Sequence, residues 1–535
     1  MNLSENGLLN RDEWLSKGYK LFSFDRDAVK EETKKNPEWI HFGAGNIFRA
    51  FQAALLQELL DKGYEKTGLI AVEGFDYEIV DKMYKPHDNL GLVVTLKGDG
   101  SIEKSIVGSI VESYALDCGR NAEYERLKEI FSAPSLKMAS FTITEKGYSL
   151  VKGNGDLMDS VKEDFEAGPK SPISYIGKVA ALLYERFLAG ALPIAMVSMD
   201  NCSHNGDKLY AAIEAFAKAW EEKGLIEKGF EAYVNDSSKV SFPWSMIDKI
   251  TPRPDKSVEK ILNDDGIEEL EPVITSKNTY VAPFVNAEES QYLVIEDAFP
   301  NGKISLDKAG VIYTQKETVD KVEKMKVCTC LNPLHTALAV FGCLLGFTKI
   351  SDEMKDADLK KLVEIIGYEE GLKVVVNPGV LDPKQFIDEV VTKRIPNPFM
   401  PDTPQRIATD TSQKIPIRFG ETIKAYQKRE DLNTSDLKQI PLVFAAWLRY
   451  LMGINDEGEE FEQSSDPLLS TLCPYVKDIK LGDTDIHEKV KPILSDARIF
   501  AVDLYEVGLG EKVEEYFIKM LEKKGAIRQT LKENI

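Results

Sequence analysis

One stretch near the start limits what this chain can fold into. WIHFGAG (39–45) is an apolar run that ends in glycines. NIFRAFQAALLQELLDKG (46–63) follows at once, with apolar residues at helical spacing and a glycine stop. A buried strand that turns tightly into a helix must lay that helix back over its own sheet. The pattern then recurs. GLIAVEGF (68–75), LKMASFTITEKGY (136–148) and LPIAMVSMDN (192–201) read as further buried strands, and ISYIGKVAALLYERFLAG (173–190) as an amphipathic helix between the last two. LGLVVTLKGDGSIEKSIVGSIVES (90–113) has strand composition, with GDG as a hairpin turn. Strands alternating with helices predict an α/β fold built on a largely parallel, doubly wound sheet.

From about residue 315 the pattern turns helical, broken by loops such as VVNPGVLDP (375–383) and IPNPFMPDTPQ (395–405). GEKVEEYFIKMLEKKGAIRQTLKEN closes the chain as one polar amphipathic helix. The boundary is expected near NGKISLDKAGVIYT (301–314), separating residues 1–310 from a mostly α-helical second domain, 311–535. KVCTCLNPLH (326–335) lies just past it and is expected to face the strand ends of the first domain across a cleft.

Composition narrows the partners. Acidic residues number 88 against 67 basic ones, a net charge of −21, which argues against nucleic-acid and anionic-membrane binding. A small anion held in a locally basic pocket is still allowed. The six cysteines follow no disulfide framework and read as reduced thiols of a cytoplasmic protein. MNLSENGLLNRDEW has no basic segment followed by an apolar one, so no signal peptide is expected. TALAVFGCLLGF (336–347) falls short of the roughly 18 apolar residues of a membrane span and reads as a buried core helix.

GAGNIFR (43–49) sets G-x-G directly after a strand and before a helix. Gly43 and Gly45 would let the backbone approach a pyrophosphate, and the helix N-terminus would meet it with unpaired N–H groups. Phe48 stands where the third glycine of the usual fingerprint would be, followed by Arg49. Glu73 ends the next strand, with Asp76 close behind, where an acid would hold a ribose hydroxyl and favour NAD over NADP. The ordinary alternative for Glu73 is a solvated loop acid. Three polar clusters follow apolar strands: TITEKGY (142–148), SMDNCSHNG (198–206) and FPWSMIDKITP (242–252). Each is expected at a carboxyl strand end, where open α/β sheets bind ligands.

IHFGAGNIFRAF, TITEKGY, SMDNCSHNG, FPWSMIDKITP, YLVIEDAFPNGK, CLNPLHTALA and NPFMPDTPQRIATDTSQKIPIR occur in the order found in the polyol-specific long-chain dehydrogenases. The chain thus resembles the mannitol dehydrogenase family over residues 39 to about 420, most nearly its fructuronate reductase (D-mannonate oxidoreductase) branch. The resemblance implies a Rossmann-type domain, a mostly helical second domain and metal-independent hydride transfer with NAD. Gly43, Gly45, Asn46, Phe48, Arg49, Glu73 and Asp248 would then border the cofactor. A lysine acts as general acid/base in that family, and asparagines donate to the developing alkoxide. Asn332 and His335 match the pattern, on one helix face at i, i+3, with Asn201 as second donor. The lysine departs from it. The family has four residues between lysine and asparagine, and that register here gives Val327. Either a one-residue bulge restores Lys326, with Lys324 a weaker substitute, or another group moves the proton.

Arg406 and Lys414 match basic positions that contact substrate in the family and would suit a carboxylate or a sugar's hydroxyl tail; Arg394 is a further candidate. Glu145 is expected either behind the site or capping its turn, and His204 beside it; His41, inside the first strand, is given no role. Cys328 and Cys330 are spaced C-x-C, not the C-x₂-C of zinc sites; in a strand they would share one face as small apolar residues, and no metal is expected. The expected activity is reduction of D-fructuronate to D-mannonate. The alternatives are mannitol–fructose interconversion, tagaturonate reduction, or a dinucleotide-binding sensor. Neither an obligate protein partner nor the oligomeric state is legible.

Overall fold

The computed structural model describes residues 1–535. It divides into two compact units, Met1–Leu96 with Ser101–Asp320, and Lys97–Gly100 with Lys321–Ile535. The division falls inside the helix Lys316–Met325, a little beyond the stretch expected from sequence.

The first unit is built on six parallel strands: β1 (Trp39–Phe42), β2 (Leu69–Glu73), β3 (Ile110–Ala115), β4 (Met138–Phe141), β5 (Ile194–Ser198) and β6 (Val240–Ser241). Their order across the sheet is β3-β2-β1-β4-β5-β6. This is the Rossmann-type doubly wound arrangement, with its reversal between β1 and β4. β1, β2, β4 and β5 are buried on both faces, as a sheet covered by helices on both sides must be. The period of two is visible in where side chains go. Ile40, Phe42, Ile70, Val72, Ala139 and Phe141 enter one core, packed under Tyr175–Leu188 and Asn205–Glu222. Trp39, Leu69, Ala71 and Met138 enter the other, under Ala53–Asp61.

The rest of this unit differs from expectation in two places. Gly91–Leu96 and Ile102–Val107 do form an antiparallel hairpin, but in a separate four-stranded sheet; the chain then leaves it to supply β3. FPWSMIDKITP follows β6 but is itself a strand, Ser245–Asp248, paired antiparallel with Tyr292–Glu296. Its alternation buries residues on both sides instead of presenting a polar loop.

The second unit is helical. Gln439–Leu451 is buried along its whole length and packs against Asn332–Leu344 and Gly510–Leu521. Its first N–H groups have no helical partner, and the carboxylate of Glu370 accepts from Lys438, Gln439 and Ile440 at 2.6–3.0 Å. Residues 510–534 form two helices, not one: Gly510–Leu521 and Ala526–Asn534 are broken at Gly525, whose φ of 79° is left-handed. Lys316–Leu344 runs as 29 helical residues, long and apolar enough to cross a membrane, but 78% of its most apolar window is buried in the protein.

Candidate active site

The glycine turn lies at the carboxyl end of β1. Gly43 has φ 102°, and a Cβ there would strike the carbonyl of Thr142 at the end of β4, so only glycine fits. Around Gly45 a Cβ would meet open space. A cavity of about 620 Å³ opens there, walled by Gly43, Gly45, Glu73, Phe75, Thr142 and Tyr175 among others. It sits over the carboxyl ends of β1, β2 and β4, at the strand-order reversal where such sheets bind nucleotides. The Tyr175 hydroxyl is buried without a hydrogen-bond partner at this wall. A bare backbone turn, open space and an orphaned hydroxyl are what a bound dinucleotide would complete.

Glu73 is not a solvated acid. Its carboxylate accepts from the N–H groups of Ala44 at 3.0 Å, Phe75 at 2.8 Å and Asp76 at 3.1 Å. Burial pushes its pKa up, while those three N–H groups pull it back. About one of its four acceptor sites is left for a ligand. Asp76 is buried too, accepting from Thr275 Oγ1 at 2.6 Å. Phe48 is wholly buried, stacked on His41 with centroids 4.2 Å apart, and supports the turn from beneath. Arg49 points inward to the Ala282 carbonyl and to Asn46 Oδ1, both at 2.8 Å. Asp248 ends its strand buried, opposite Tyr292.

The segments after β4 and β5 hold one another. Asp200 accepts from the N–H groups of Ile143 and Thr144 at 2.9 and 2.8 Å and from the Tyr148 hydroxyl, fixing the 142–148 turn in which Thr144 has φ 64°. Asn205 is fully buried and ties the carbonyls of Ser198, Asp200 and Ser245 together. Asn201 stands exposed on the loop these two residues brace. His204 stacks on Trp244 at 4.1 Å and approaches Asp320 at 3.6 Å, and Glu145 pairs with Lys208 at the surface.

In the second unit, Lys326 is buried and opens a π-helical turn, Lys326–Cys330, closed by the bond from Leu331 N to Lys326 O at 3.1 Å. A π-turn absorbs one extra residue. The turn is a one-residue bulge of the kind the lysine register calls for, and Leu331, between it and Asn332, is non-helical at φ −127°. Cys328 and Cys330 lie in this turn, not in a strand, so they share no common face; Cys330 is buried and burial raises its thiol pKa. No group of three or more histidine, cysteine or acidic side chains could hold a metal ion.

Asn332 and His335 begin the next helix, Asn332–Leu344. His335 is held neutral: burial first, then Arg418, Arg394, Arg406 and Lys414, push its pKa down to about 3. Its 3.5 Å approach to Asp402 is therefore not an ion pair; that carboxylate is bound by Arg406. Lys414 donates to the carbonyls of Ile407 and Thr409, and burial followed by Arg418 lowers its pKa to about 8. Arg418 donates to Thr336 Oγ1 at 2.6 Å, and burial alone brings its pKa down to about 10. The half-buried Arg418 guanidinium thus lies among other cations near a neutral imidazole, with no acidic side chain offsetting its burial.

Sequence reasoning passed over Arg418, Asp200 and Asn205 as functional supports. Arg418 ends the quoted IPIR segment, and Asp200 and Asn205 sit inside SMDNCSHNG, but nothing in their spacing shows what they bond.

Residues 37–308 match the family described as "Mannitol dehydrogenase Rossmann domain" and residues 318–521 the "Mannitol dehydrogenase C-terminal domain". The chain is 56% identical over 538 residues to a D-mannonate oxidoreductase of Thermotoga maritima, covering 100% of this chain and 99% of the relative. The fold is shared with a substrate-free D-sorbitol dehydrogenase (TM-score 0.77, 23% identity, 95% of this chain and 97% of that one). It is also shared with Pseudomonas fluorescens mannitol 2-dehydrogenase, solved with NAD and D-mannitol (TM-score 0.67, 24% identity, 100% and 99%).

Proposed function

This chain belongs to the mannitol dehydrogenase family, and from that premise we propose that it is an NAD-dependent oxidoreductase interconverting D-fructuronate and D-mannonate. The observation that carries a sugar acid over a neutral polyol is the cluster Arg394, Arg406, Lys414 and Arg418 around a neutral His335. Burial alone shifts Arg418, with no acidic side chain offsetting it, and a hexuronate brings one carboxylate. The 56% identity to a D-mannonate oxidoreductase over the whole chain supports the same reading.

Bound NADH supplies the hydride. The chain's residues then have these roles in the proposal. Lys326 gives its proton to the carbonyl oxygen as hydride arrives, and takes it back in the oxidative direction. Asn332 donates to the oxygen as negative charge develops on it. His335, neutral, orients substrate hydroxyls as donor or acceptor. Arg418, Lys414 and Arg406 hold the carboxylate, which fixes the chain of the sugar and so the carbon presented. Glu73 keeps the cofactor turn in shape, and its remaining acceptor capacity favours a ribose hydroxyl over a 2′-phosphate. Six free cysteines fit the reducing cytoplasm as its compartment.

Reduction of D-fructuronate by NADH, with D-mannonate identified as product, is the test. Turnover of tagaturonate alone would replace the substrate. NADH binding with no turnover of any ketose or keto acid would make the chain a sensor.

A further inference from the structure

A buried polar chain runs beneath the glycine turn. Trp39, His41 and Ser140 are all essentially inaccessible, and they lie on the same face of β1 and β4, within an apolar core. Trp39 Nε1 lies 2.7 Å from Ser140 Oγ. Ser140 Oγ lies 2.6 Å from His41 Nδ1, and His41 Nε2 lies 2.8 Å from Thr142 Oγ1. Thr142 Oγ1 in turn donates to the Gly43 carbonyl at 3.2 Å.

Counting protons fixes the direction of every bond. An indole N–H can only donate, so Ser140 Oγ accepts from Trp39. The single Ser140 proton then goes to His41 Nδ1. A neutral imidazole with Nδ1 accepting carries its proton on Nε2, which donates to Thr142 Oγ1. The Thr142 proton is left for Gly43 O. Burial keeps His41 neutral, with its pKa down at about 3, so this order holds at any working pH. Each member has one partner on each side, and none can be reversed without orphaning another in the core.

The end of the chain is functional ground. Thr142 walls the cavity and packs so closely on Gly43 that a Cβ would collide with it. From the opposite side Glu73 holds Ala44. The turn is thus clamped from both flanking strands, and the His41 side is the longer lever.

We propose that His41 is a positioning residue for the dinucleotide turn, acting through Thr142 to hold the Gly43 peptide in its binding conformation. This rests on the reading of that turn as the NADH site. Its consequence is specific: loss of the chain lets the turn sample other conformations, which taxes cofactor affinity and not the chemical step.

The test uses the full-length protein and NADH fluorescence titration, with kcat at saturating NADH alongside. Thr142→Val removes the hydroxyl at constant volume, and Thr142→Ser restores it. His41→Phe keeps the ring stacked on Phe48 and removes both nitrogens, from a residue that does not line the cavity. We expect Kd for NADH to rise about tenfold in His41→Phe with kcat within threefold of the parent, and to rise in Thr142→Val but not in Thr142→Ser. In the parent, ¹⁵N NMR of the five histidines, with His41 assigned by the loss of its signals in His41→Phe, should show the His41 ring neutral and protonated at Nε2. Unchanged Kd in both folded variants, or an Nδ1–H tautomer for His41, would overturn the proposal. If His41→Phe does not fold, the Thr142 pair decides it. Failure of the parent itself to bind NADH would instead sink the reading on which it rests.

Discussion

Arg418→Met is the most informative single change to the second unit. The guanidinium is half-buried, gives one hydrogen bond to Thr336, and has its pKa lowered by burial alone, so it pays a desolvation cost that no acidic side chain offsets. If a substrate carboxylate is the missing partner, removing the charge removes a charge-assisted bond worth about 1.5–3 kcal/mol. At 1.4 kcal/mol per tenfold, that is roughly a 10- to 100-fold loss. A unit charge pair 4 Å apart at an effective dielectric of 20 gives about 4 kcal/mol, an upper bound consistent with this range. The loss should fall on KM, because the carboxylate is bound equally in ground and transition states. The assay is steady-state NADH oxidation with D-fructuronate and, separately, with fructose, after thermal melting has shown that the variant is folded. KM for fructuronate should rise by about 30-fold, and kcat/KM for fructose should move by less than about threefold. Equal losses on both ketoses would mean that Arg418 serves only to brace Thr336. No loss on either would refute the carboxylate argument.

Lys326→Ala should lower kcat for fructuronate by about 10²–10⁴, the usual contribution of a positioned acid/base, while NADH titration stays close to the parent; a rate within threefold would remove that assignment. Lys414, with its pKa lowered to about 8, loses its charge as pH rises through 8, so KM for the uronate should climb above that pH and KM for a neutral ketose should not. The same group is depressed below its ordinary 10.5, so the unfolded chain binds more protons between pH 8 and 10.5, and its contribution to stability grows with pH across that window. Glu353 gives the opposite sign. It is fully buried against Gly342, its oxygens have no partner, and burial raises its pKa to about 9. The folded state therefore holds the extra proton between about pH 4.5 and 9, and stability should fall with a slope approaching about 1.4 kcal/mol per pH unit over that range. Glu353→Gln should abolish that slope in urea melts at pH 6, 7 and 8; an unchanged slope would mean the carboxyl is hydrated.

The strand–glycine–helix signal and the buried runs after it made the parallel sheet legible, because period and composition are local properties of the chain. So were Gly43 and Gly45, whose conformations admit no other residue or open onto a cavity. What spacing could not show is where a side chain turns. Glu73 reads as a strand-end acid, but its carboxylate is taken up by three backbone N–H groups. Phe48 reads as part of the cofactor loop and lies in the core. His41 looked like an ordinary strand residue because its partners, Ser140 and Thr142, are a hundred positions away. The π-turn at Lys326 could be posed as a question of register but not answered, since one extra residue in a helix leaves no compositional mark. FPWSMIDKITP misled for a related reason: polar and apolar residues alternate in it, and only the pairing with Tyr292–Glu296 makes it a strand.

The proposed preference for a sugar acid requires that the second unit recognise a carboxylate. The ratio of kcat/KM for D-fructuronate to that for fructose, measured with NADH at pH 7 and low salt, tests it most directly. A ratio well above about 100, falling as salt is raised, is the predicted result. A ratio near or below one would contradict it and make the chain a polyol dehydrogenase.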